Sequence, residues 1–275
     1  MSPQANADVI WVVGDDTGVG KTTTTAALIR RLNSMKIKTL GFKPYAGSRL
    51  ISVIGLLENI AVGDGFLVGP DARELAKASP LTPVPLLEVV NPSWRIGHPS
   101  RDVSVFVRKG SAEIRRRDFF QTRNAVEFCR RSDFARLNEH IKLPMNNISI
   151  RENSGADAVD ALEQDIQTSS FAQLQALGPE VIICEGAGRL LPYWVGAPPV
   201  KHIFLVTGGD LYLFPDINID INPREGPSMK SVPTIAAIRD DLRRGMQLRD
   251  GIPVVSSADR DRMDQFVSKF LVACT

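Results

Sequence analysis

The stretch VIWVVGDDTGVGKTTTT, Val9–Thr25, decides the predicted fold. Its first five residues form a short, continuous apolar run that ends at a glycine, a pattern typical of a buried strand. The residues from Lys21 to Met35 follow with a pattern that is compatible with a helix. A buried strand, a glycine-containing turn and a helix, in this order, indicate the first unit of a parallel sheet covered by helices.

Short apolar runs recur along the chain, and two of them, Val181–Cys184 and His202–Val206, also end at glycine-rich turns. The further predicted strands are Thr39–Phe42, Val181–Cys184, His202–Val206 and Ile252–Val255. Because ligands bind at the carboxyl ends of parallel strands, the glycine turns that follow these strands are expected to border one shared site. The sequence therefore predicts a single α/β domain over residues 1–275, with a doubly wound, mostly parallel sheet.

Two segments depart from this alternation. Residues 101–155 are polar and charged, and Arg108 to Arg136 alone holds nine Lys or Arg and four Asp or Glu residues. We predict a solvated helical insertion there, with a basic lid over an anionic substrate or nucleotide as the alternative. The segment from Leu211 to Pro227 contains three prolines, which predicts a loop with a strand fragment.

The composition argues against several classes of protein. A net charge of +2 over 275 residues does not indicate a nucleic-acid partner. The three cysteines, Cys129, Cys184 and Cys274, show no C-x-x-C spacing, which indicates free thiols in a reducing compartment. The N-terminus lacks the signal-peptide pattern, and no apolar run approaches the roughly 20 residues that span a membrane. We therefore expect a cytoplasmic protein without a membrane partner.

The turn after the first predicted strand has the composition of a phosphate-binding loop. Glycines let backbone N–H groups approach phosphate oxygens, and the positive end of the following helix faces the anion. Gly18 and Gly20 supply the glycines, while Lys21 and Thr22 supply a cation for the phosphates and a hydroxyl for Mg²⁺. The usual pattern has four residues between its outer glycines, whereas Gly14 and Gly20 are separated by five.

The wider spacing resembles the loop G-T-D-T-x-V-G-K-T of the dethiobiotin synthetase family. The matching residues are Asp16, Thr17, Val19, Gly20, Lys21 and Thr22. Four further motifs of that family follow in the same chain order, namely K-P at Lys43-Pro44, D-A-x-x-L at Asp71, N-P at Asn91-Pro92 and V-E-G-A-G-G, present as CEGAGR, at Glu185. The resemblance covers Val9–Pro92 and Val181–Val206.

The resemblance implies an ATP- and Mg²⁺-dependent ligase of the P-loop NTPase-like fold, as used in biotin biosynthesis. In that family, a diamine takes up CO₂ to form a carbamate, and the carbamate oxygen attacks the γ-phosphate of ATP. The second amine then closes a cyclic urea and releases phosphate. The resemblance also implies a homodimer that binds its small-molecule substrate across the subunit interface.

The same resemblance implies the roles of individual residues. Lys21 holds the β- and γ-phosphates, Lys43 stabilises the carbamate and the transferring phosphoryl group, and Thr17 lines the loop beside them. The expected nucleotide-binding residues are Asp16, Thr17, Gly18, Val19, Gly20, Lys21, Thr22, Thr23, Glu185 and Gly186. The expected Mg²⁺ ligands are Thr22, Asp71 and Glu185, which are the hard oxygen donors that Mg²⁺ prefers. Structural alternatives exist for some of them, such as helix capping by Asp71.

The chain departs from the family at the acceptor end of the site. Arg189 stands where the family has a glycine, the segment between Asn91 and Glu185 is longer, and a proline-rich stretch follows His202–Val206. A kinase or an amide-forming ligase that acts on a different, anionic acceptor is therefore an alternative. A second alternative is an ATP-driven switch of the partitioning-ATPase type, although those proteins carry a lysine at the place of Asp16. Asn222 is a weak candidate for reading adenine, and His98 is interpreted as structural.

Overall fold

A computed structural model of the chain describes residues 7–49, 70–80, 87, 89–97, 104–109, 117–122, 148–153, 156–194, 196–208 and 210–215. Its strands are β1 (Asp8–Gly14), β2 (Thr39–Phe42), β3 (Tyr45–Arg49), β4 (Ser93–Gly97), β5 (Ser104–Lys109), β6 (Arg117–Thr122), β7 (Ile148–Asn153), β8 (Val181–Glu185), β9 (His202–Val206) and β10 (Leu211–Pro215). Its helices are α1 (Lys21–Ser34), α2 (Pro70–Ala78) and α3 (Ala156–Ala176).

The first sheet has the strand order β10-β9-β1-β8-β2. The neighbours β9, β1, β8 and β2 are parallel, and only the edge strand β10 runs antiparallel, beside β9. The prediction of a mostly parallel α/β sheet is thereby confirmed. The strands lie where the sequence predicts them, with β1 and β8 longer by one or two residues. The predicted strand Ile252–Val255 lies outside the described residues.

Helices cover both faces of this sheet, because β1 presents apolar side chains to both sides. Ile10 and Val12 of β1 belong to one buried cluster with residues of α1 and α2, among them Leu28, Ile29 and Leu75. The intervening residues Val9, Trp11 and Val13 belong to a second cluster with Phe171 and Leu174 of α3. Alternate residues of a strand point to opposite faces, so two helix layers bury both faces of the sheet. This arrangement is the doubly wound fold that the sequence predicts.

A second sheet has the order β3-β4-β5-β6-β7 and mixes parallel and antiparallel pairs. Three of its strands, β5, β6 and β7, fall within residues 101–155, where the charge pattern favours a helical insertion. The structure differs from that expectation in the described segments. Each of them carries β-branched or aromatic residues in a short run, such as SVFVRK and RDFFQT, and these residues favour strands even between charged neighbours.

Two strands of the second sheet begin next to predicted motifs. β3 begins two residues after Lys43, and β4 begins two residues after Asn91, with Tyr45 paired to Ser93 in parallel register. The segment that begins at Leu211 forms a strand up to Pro215, in keeping with the predicted strand fragment. No helix in the described part of the chain is long and apolar enough to cross a bilayer.

Candidate functional site

A cavity of about 380 Å³ opens at the carboxyl edge of the first sheet. One side is lined by the turn after β1 and the first turn of α1, through Thr17, Gly18, Gly20, Lys21, Thr22 and Thr23. The other side is lined by Lys43, Asp71, Glu185, Ala187 and Gly188. Three strand ends and two helix N-termini therefore meet at this cavity, in the place where ligands bind in sheets of this type.

The turn after β1 depends on its glycines for two different reasons. Gly18 and Gly20 have φ angles of 81° and 98°, in the left-handed region that other residues adopt only with strain. A Cβ atom at Gly14 would lie 2.8 Å from Cδ of Lys21, so only glycine leaves room for that side chain. Lys21 thus folds back over the end of β1, and its Nζ donates to the carbonyl oxygen of Asp16.

Lys43 connects two acidic side chains at the base of the cavity. Its Nζ donates to Oδ2 of Asp71 at 2.5 Å and to Oε1 of Glu185 at 2.6 Å. The side chains of Lys43 and Glu185 are 5% and 0% exposed, whereas that of Asp71 is 36% exposed. Lys43 directly follows β2, Asp71 lies in the first turn of α2, and Glu185 ends β8, so three separate elements assemble this cluster.

The N-P motif holds the backbone that carries Lys43. The amide N–H of Lys43 donates to the carbonyl oxygen of Val90 at 2.7 Å, and Nδ2 of Asn91 donates to the carbonyl oxygen of Lys43 at 2.9 Å. Asn91 is fully buried. Its contribution to the site is therefore indirect, because it fixes the position of the lysine.

The residues predicted to hold Mg²⁺ present suitable oxygen atoms. The Thr22 hydroxyl donates to Oε1 of Glu185 at 2.7 Å, and Asp71 lies within reach of the same lysine as Glu185. The second oxygen of Glu185, Oε2, is buried and accepts no hydrogen bond from any residue that the structure describes. A buried carboxylate oxygen without a donor is costly unless a cation or ligand group occupies its other side. One hydroxyl and two carboxylates therefore fit a Mg²⁺ ion.

Burial and charge shift the pKa values of the two lysines in opposite directions. Burial lowers the pKa of Lys21 below its ordinary value of 10.5, and the nearby charge of Lys43 lowers it further. Burial also acts to lower the pKa of Lys43, but the charges of Glu185 and Asp71 outweigh it and hold that pKa above 10.5. Burial acts to raise the pKa of Asp71, but the charge of Lys43 outweighs it and holds that pKa below its ordinary value of 3.8. Lys43 is therefore a permanent cation near neutral pH.

A comparison with protein-family models assigns the chain to a family. The model described as CbiA, the CobQ/CobB/MinD/ParA nucleotide binding domain, matches residues 10–271. The chain belongs to this family. Membership of the CbiA family identifies the chain as a P-loop nucleotide-binding protein, in agreement with the loop geometry. The search of curated proteins found no match.

Most of the residues that the sequence predicts for the site of this CbiA-family protein lie at the cavity, but three do not line it. Val19 packs against the hydrophobic cluster on the α1 face of the sheet. Asp16 lies at the rim and is largely exposed. Gly186 belongs to the turn after β8, where a Cβ atom would lie 2.3 Å from the carbonyl oxygen of Leu190. The close backbone approach explains this glycine without a nucleotide contact. His98 and Asn222 lie outside the described residues.

The turn after β8 borders the cavity, as expected for a glycine turn at a strand end. Its residues Ala187 and Gly188 line the cavity, because the turn passes opposite Thr17. Arg189, the next residue, donates from Nε to the carbonyl oxygen of Asp15 at 2.7 Å. The contact of Arg189 was not predicted. It joins residues that are 174 positions apart, so no local sequence pattern indicates it.

Proposed function

We propose that this CbiA-family protein is a Mg-ATP-dependent ligase that resembles dethiobiotin synthetase. It would carboxylate a diamine with CO₂, phosphorylate the carbamate and close a cyclic urea. One observation carries the proposal: Lys43 is a buried cation that shares a cavity with Lys21 and is held between Asp71 and Glu185. A phosphate-binding loop alone needs no such second cation.

The proposed role of Lys43 is electrostatic. A carbamate oxygen that attacks a γ-phosphate brings two anionic groups together, and this step needs positioning and charge neutralisation more than covalent help. The raised pKa of Lys43 keeps its ammonium group charged near neutral pH, so it acts as a fixed cation and not as a base. Burial strengthens this effect, since charges interact more strongly away from water.

Lys21 and the loop would hold the nucleotide. Gly18 and Gly20 directly precede the N-terminus of α1, and a glycine-rich turn before a helix N-terminus is the arrangement that binds phosphate. The contact between Lys21 Nζ and the carbonyl oxygen of Asp16 is readily exchanged for a contact with phosphate oxygens, which carry a full charge. Thr22, Asp71 and Glu185 would hold Mg²⁺, which neutralises charge on the β- and γ-phosphates.

ADP release from Mg-ATP tests the proposal most directly. We would measure it with 7,8-diaminononanoate, with and without bicarbonate, and use Lys43→Ala as the blank. Bicarbonate-dependent release that disappears in the blank supports the proposed reaction. ATP binding without turnover would reject this acceptor. Near-normal turnover by Lys43→Ala would refute the role given to that lysine.

A kinase or an amide-forming ligase on an anionic acceptor is the second candidate. Arg189 favours it, since an exposed cation stands at the rim where the related family has a glycine. Acceptor-dependent ADP release without a requirement for bicarbonate would select this candidate. An ATP-driven switch is also compatible with the family, and ATP hydrolysis without any acceptor would select it. Asp16 argues against the switch, because it stands where such proteins carry a lysine.

A further inference from the structure

Arg189 is anchored at the rim of the cavity, and the residues that the structure describes leave part of its guanidinium group open to a ligand. Its Nε donates to the carbonyl oxygen of Asp15 at 2.7 Å, which fixes the plane of the group. Its Nη2 lies 3.7 Å from Oδ2 of Asp16, beyond normal hydrogen-bond length. The side chain is 70% exposed, and the preceding residue, Gly188, lines the cavity. An oriented arginine beside a cavity is well suited to bind carboxylate or phosphate oxygens.

The Asp16 carboxylate occupies the position that such an anion would take. Its Oδ1 accepts a hydrogen bond from the backbone N–H of Thr17 at 2.8 Å, while its Oδ2 faces Arg189. A loop N–H group and a guanidinium group are both donors that bind anions in phosphate sites. The Asp16 side chain is 64% exposed, and an exposed ion pair at this separation is weak. An incoming anion therefore displaces the carboxylate at little cost.

Lys21 shows which end of the nucleotide this rim faces. The ammonium group that reaches the β- and γ-phosphates in such loops donates here to the carbonyl oxygen of Asp16. Asp16 and Arg189 therefore lie near the terminal phosphate and not near the base. The acceptor must approach the terminal phosphate to react, so both substrates bring anionic oxygens to this point.

We propose that Arg189 and the N–H group of Thr17 form an anion subsite at the γ-phosphate end of the cavity, which the Asp16 carboxylate fills until a ligand arrives. The ligand group is a terminal phosphoryl group or the carbamate of the acceptor. The acceptor part of this inference rests on the proposed function. The phosphoryl part rests only on membership of a nucleotide-binding family.

Binding measurements on the full chain test the subsite. The variants are Arg189→Gln, which keeps planar donors but removes the charge, and Asp16→Asn, which keeps an oxygen for the Thr17 N–H group but removes the competing charge. Lys201→Gln is the matched control. Lys201 directly precedes β9, and its substitution removes one exposed cation from a surface pair with Asp8. Calorimetry would give the affinities of Mg-ADP and of a Mg-bound, non-hydrolysable ATP analogue.

A second set of titrations identifies the source of the anion. In the presence of the ATP analogue, 7,8-diaminononanoate is titrated with and without bicarbonate, because only bicarbonate allows the carbamate anion to form. Loss of a charge-assisted contact predicts a roughly ten- to hundredfold weaker binding in Arg189→Gln. A loss for the ATP analogue but not for ADP assigns the subsite to the γ-phosphoryl group. A loss for the diamine with bicarbonate but not without it assigns the subsite to the carbamate of the acceptor.

Either selective loss, together with tighter binding of the same ligand by Asp16→Asn, supports the subsite. Equal losses for ADP and the ATP analogue would show that Arg189 only supports the loop, and would overturn the inference. Unchanged affinities in both titrations would overturn it as well. If the wild type shows no bicarbonate-dependent ADP release, the proposed function fails, but the comparison of ADP with the ATP analogue still decides whether the subsite exists.

Discussion

The two sides of the cavity are built in different ways. The loop side, Thr17–Thr23, is one continuous segment that offers mainly backbone groups and depends on glycine conformations. The carboxylate side consists of Lys43, Asp71 and Glu185, three side chains that come from three elements and bind one another. The loop side has the phosphate-binding arrangement that many nucleotide-binding proteins share. In the proposed function, the carboxylate side carries the charges that decide which reaction follows.

The largest expected effect separates chemistry from nucleotide binding. Lys43→Met removes the buried cation, and we expect turnover to fall by about 10²- to 10³-fold or more, as for the loss of one transition-state donor. Nucleotide affinity should change little, because the loop side stays intact. Steady-state ADP release and calorimetric titration with Mg-ADP measure the two quantities. A large loss of ADP affinity with normal turnover would contradict the division between the two sides.

The same substitution should destabilise the fold, since it leaves the buried Glu185 carboxylate without its cation. Removal of one partner from a buried ion pair costs about 3–5 kcal/mol. The double variant Lys43→Met with Glu185→Gln removes both charges and should recover part of this free energy of unfolding without recovering turnover. Urea unfolding of the wild type, the two single variants and the double variant measures the effect. A double variant destabilised by the sum of the two single effects would show that the pair is not coupled in the folded state.

The second expected effect is a loss of nucleotide affinity without a loss of stability, the opposite of what we expect for Lys43→Met. Lys21→Met keeps an apolar chain over Gly14 but removes the phosphate-binding cation, so nucleotide affinity should fall about ten- to hundredfold. Burial lowers the pKa of Lys21, which means that its charge is not stabilised by the fold. The free energy of unfolding should therefore not decrease. Lys77→Met, at an exposed pair with Glu74, is the control for loss of one positive charge.

The smallest expected effect is a pH dependence on the carboxylate side. The folded protein holds the pKa of Asp71 below its ordinary 3.8, so this group contributes stability above that pH. The contribution is lost as the pH falls below 3.8 and through the folded value. Asp71→Asn should therefore flatten the acid side of the stability profile, measured by urea unfolding between about pH 6 and pH 3. Asp8→Asn, at an exposed pair with Lys201, is the control for the loss of one carboxylate.

The sequence predicts the first sheet well because each strand is a local signal. Short apolar runs before glycine turns mark β1, β8 and β9, and the strand-end rule brings Lys43 and Glu185 to one edge. Asp71 and Thr22 join them in the structure as expected, while the catalytic and metal-binding roles of these residues stay predictions.

The second sheet and the contacts at the rim of the cavity could not be predicted from the sequence, for physical reasons. The strands β5, β6 and β7 are short and carry charged residues, so their composition resembles that of a solvated helix. Arg189 donates a hydrogen bond to a backbone carbonyl oxygen, and because every residue has such an oxygen, no residue pattern indicates the contact. The role of Asn91 is hidden in the same way, since it also binds a carbonyl oxygen.

The strand that carries Glu185 has a consequence for dynamics. β8 lies between β1 and β2, and all five of its residues are buried. Its amides are expected to exchange with deuterium only through global unfolding, whereas those of the exposed turn from Asp15 to Gly18 exchange through local opening. A ligand that closes over the turn slows local exchange there first. The exchange rates of the β8 amides then report the global stability of the protein, and those of the turn amides report ligand binding. One exchange experiment therefore measures both quantities separately.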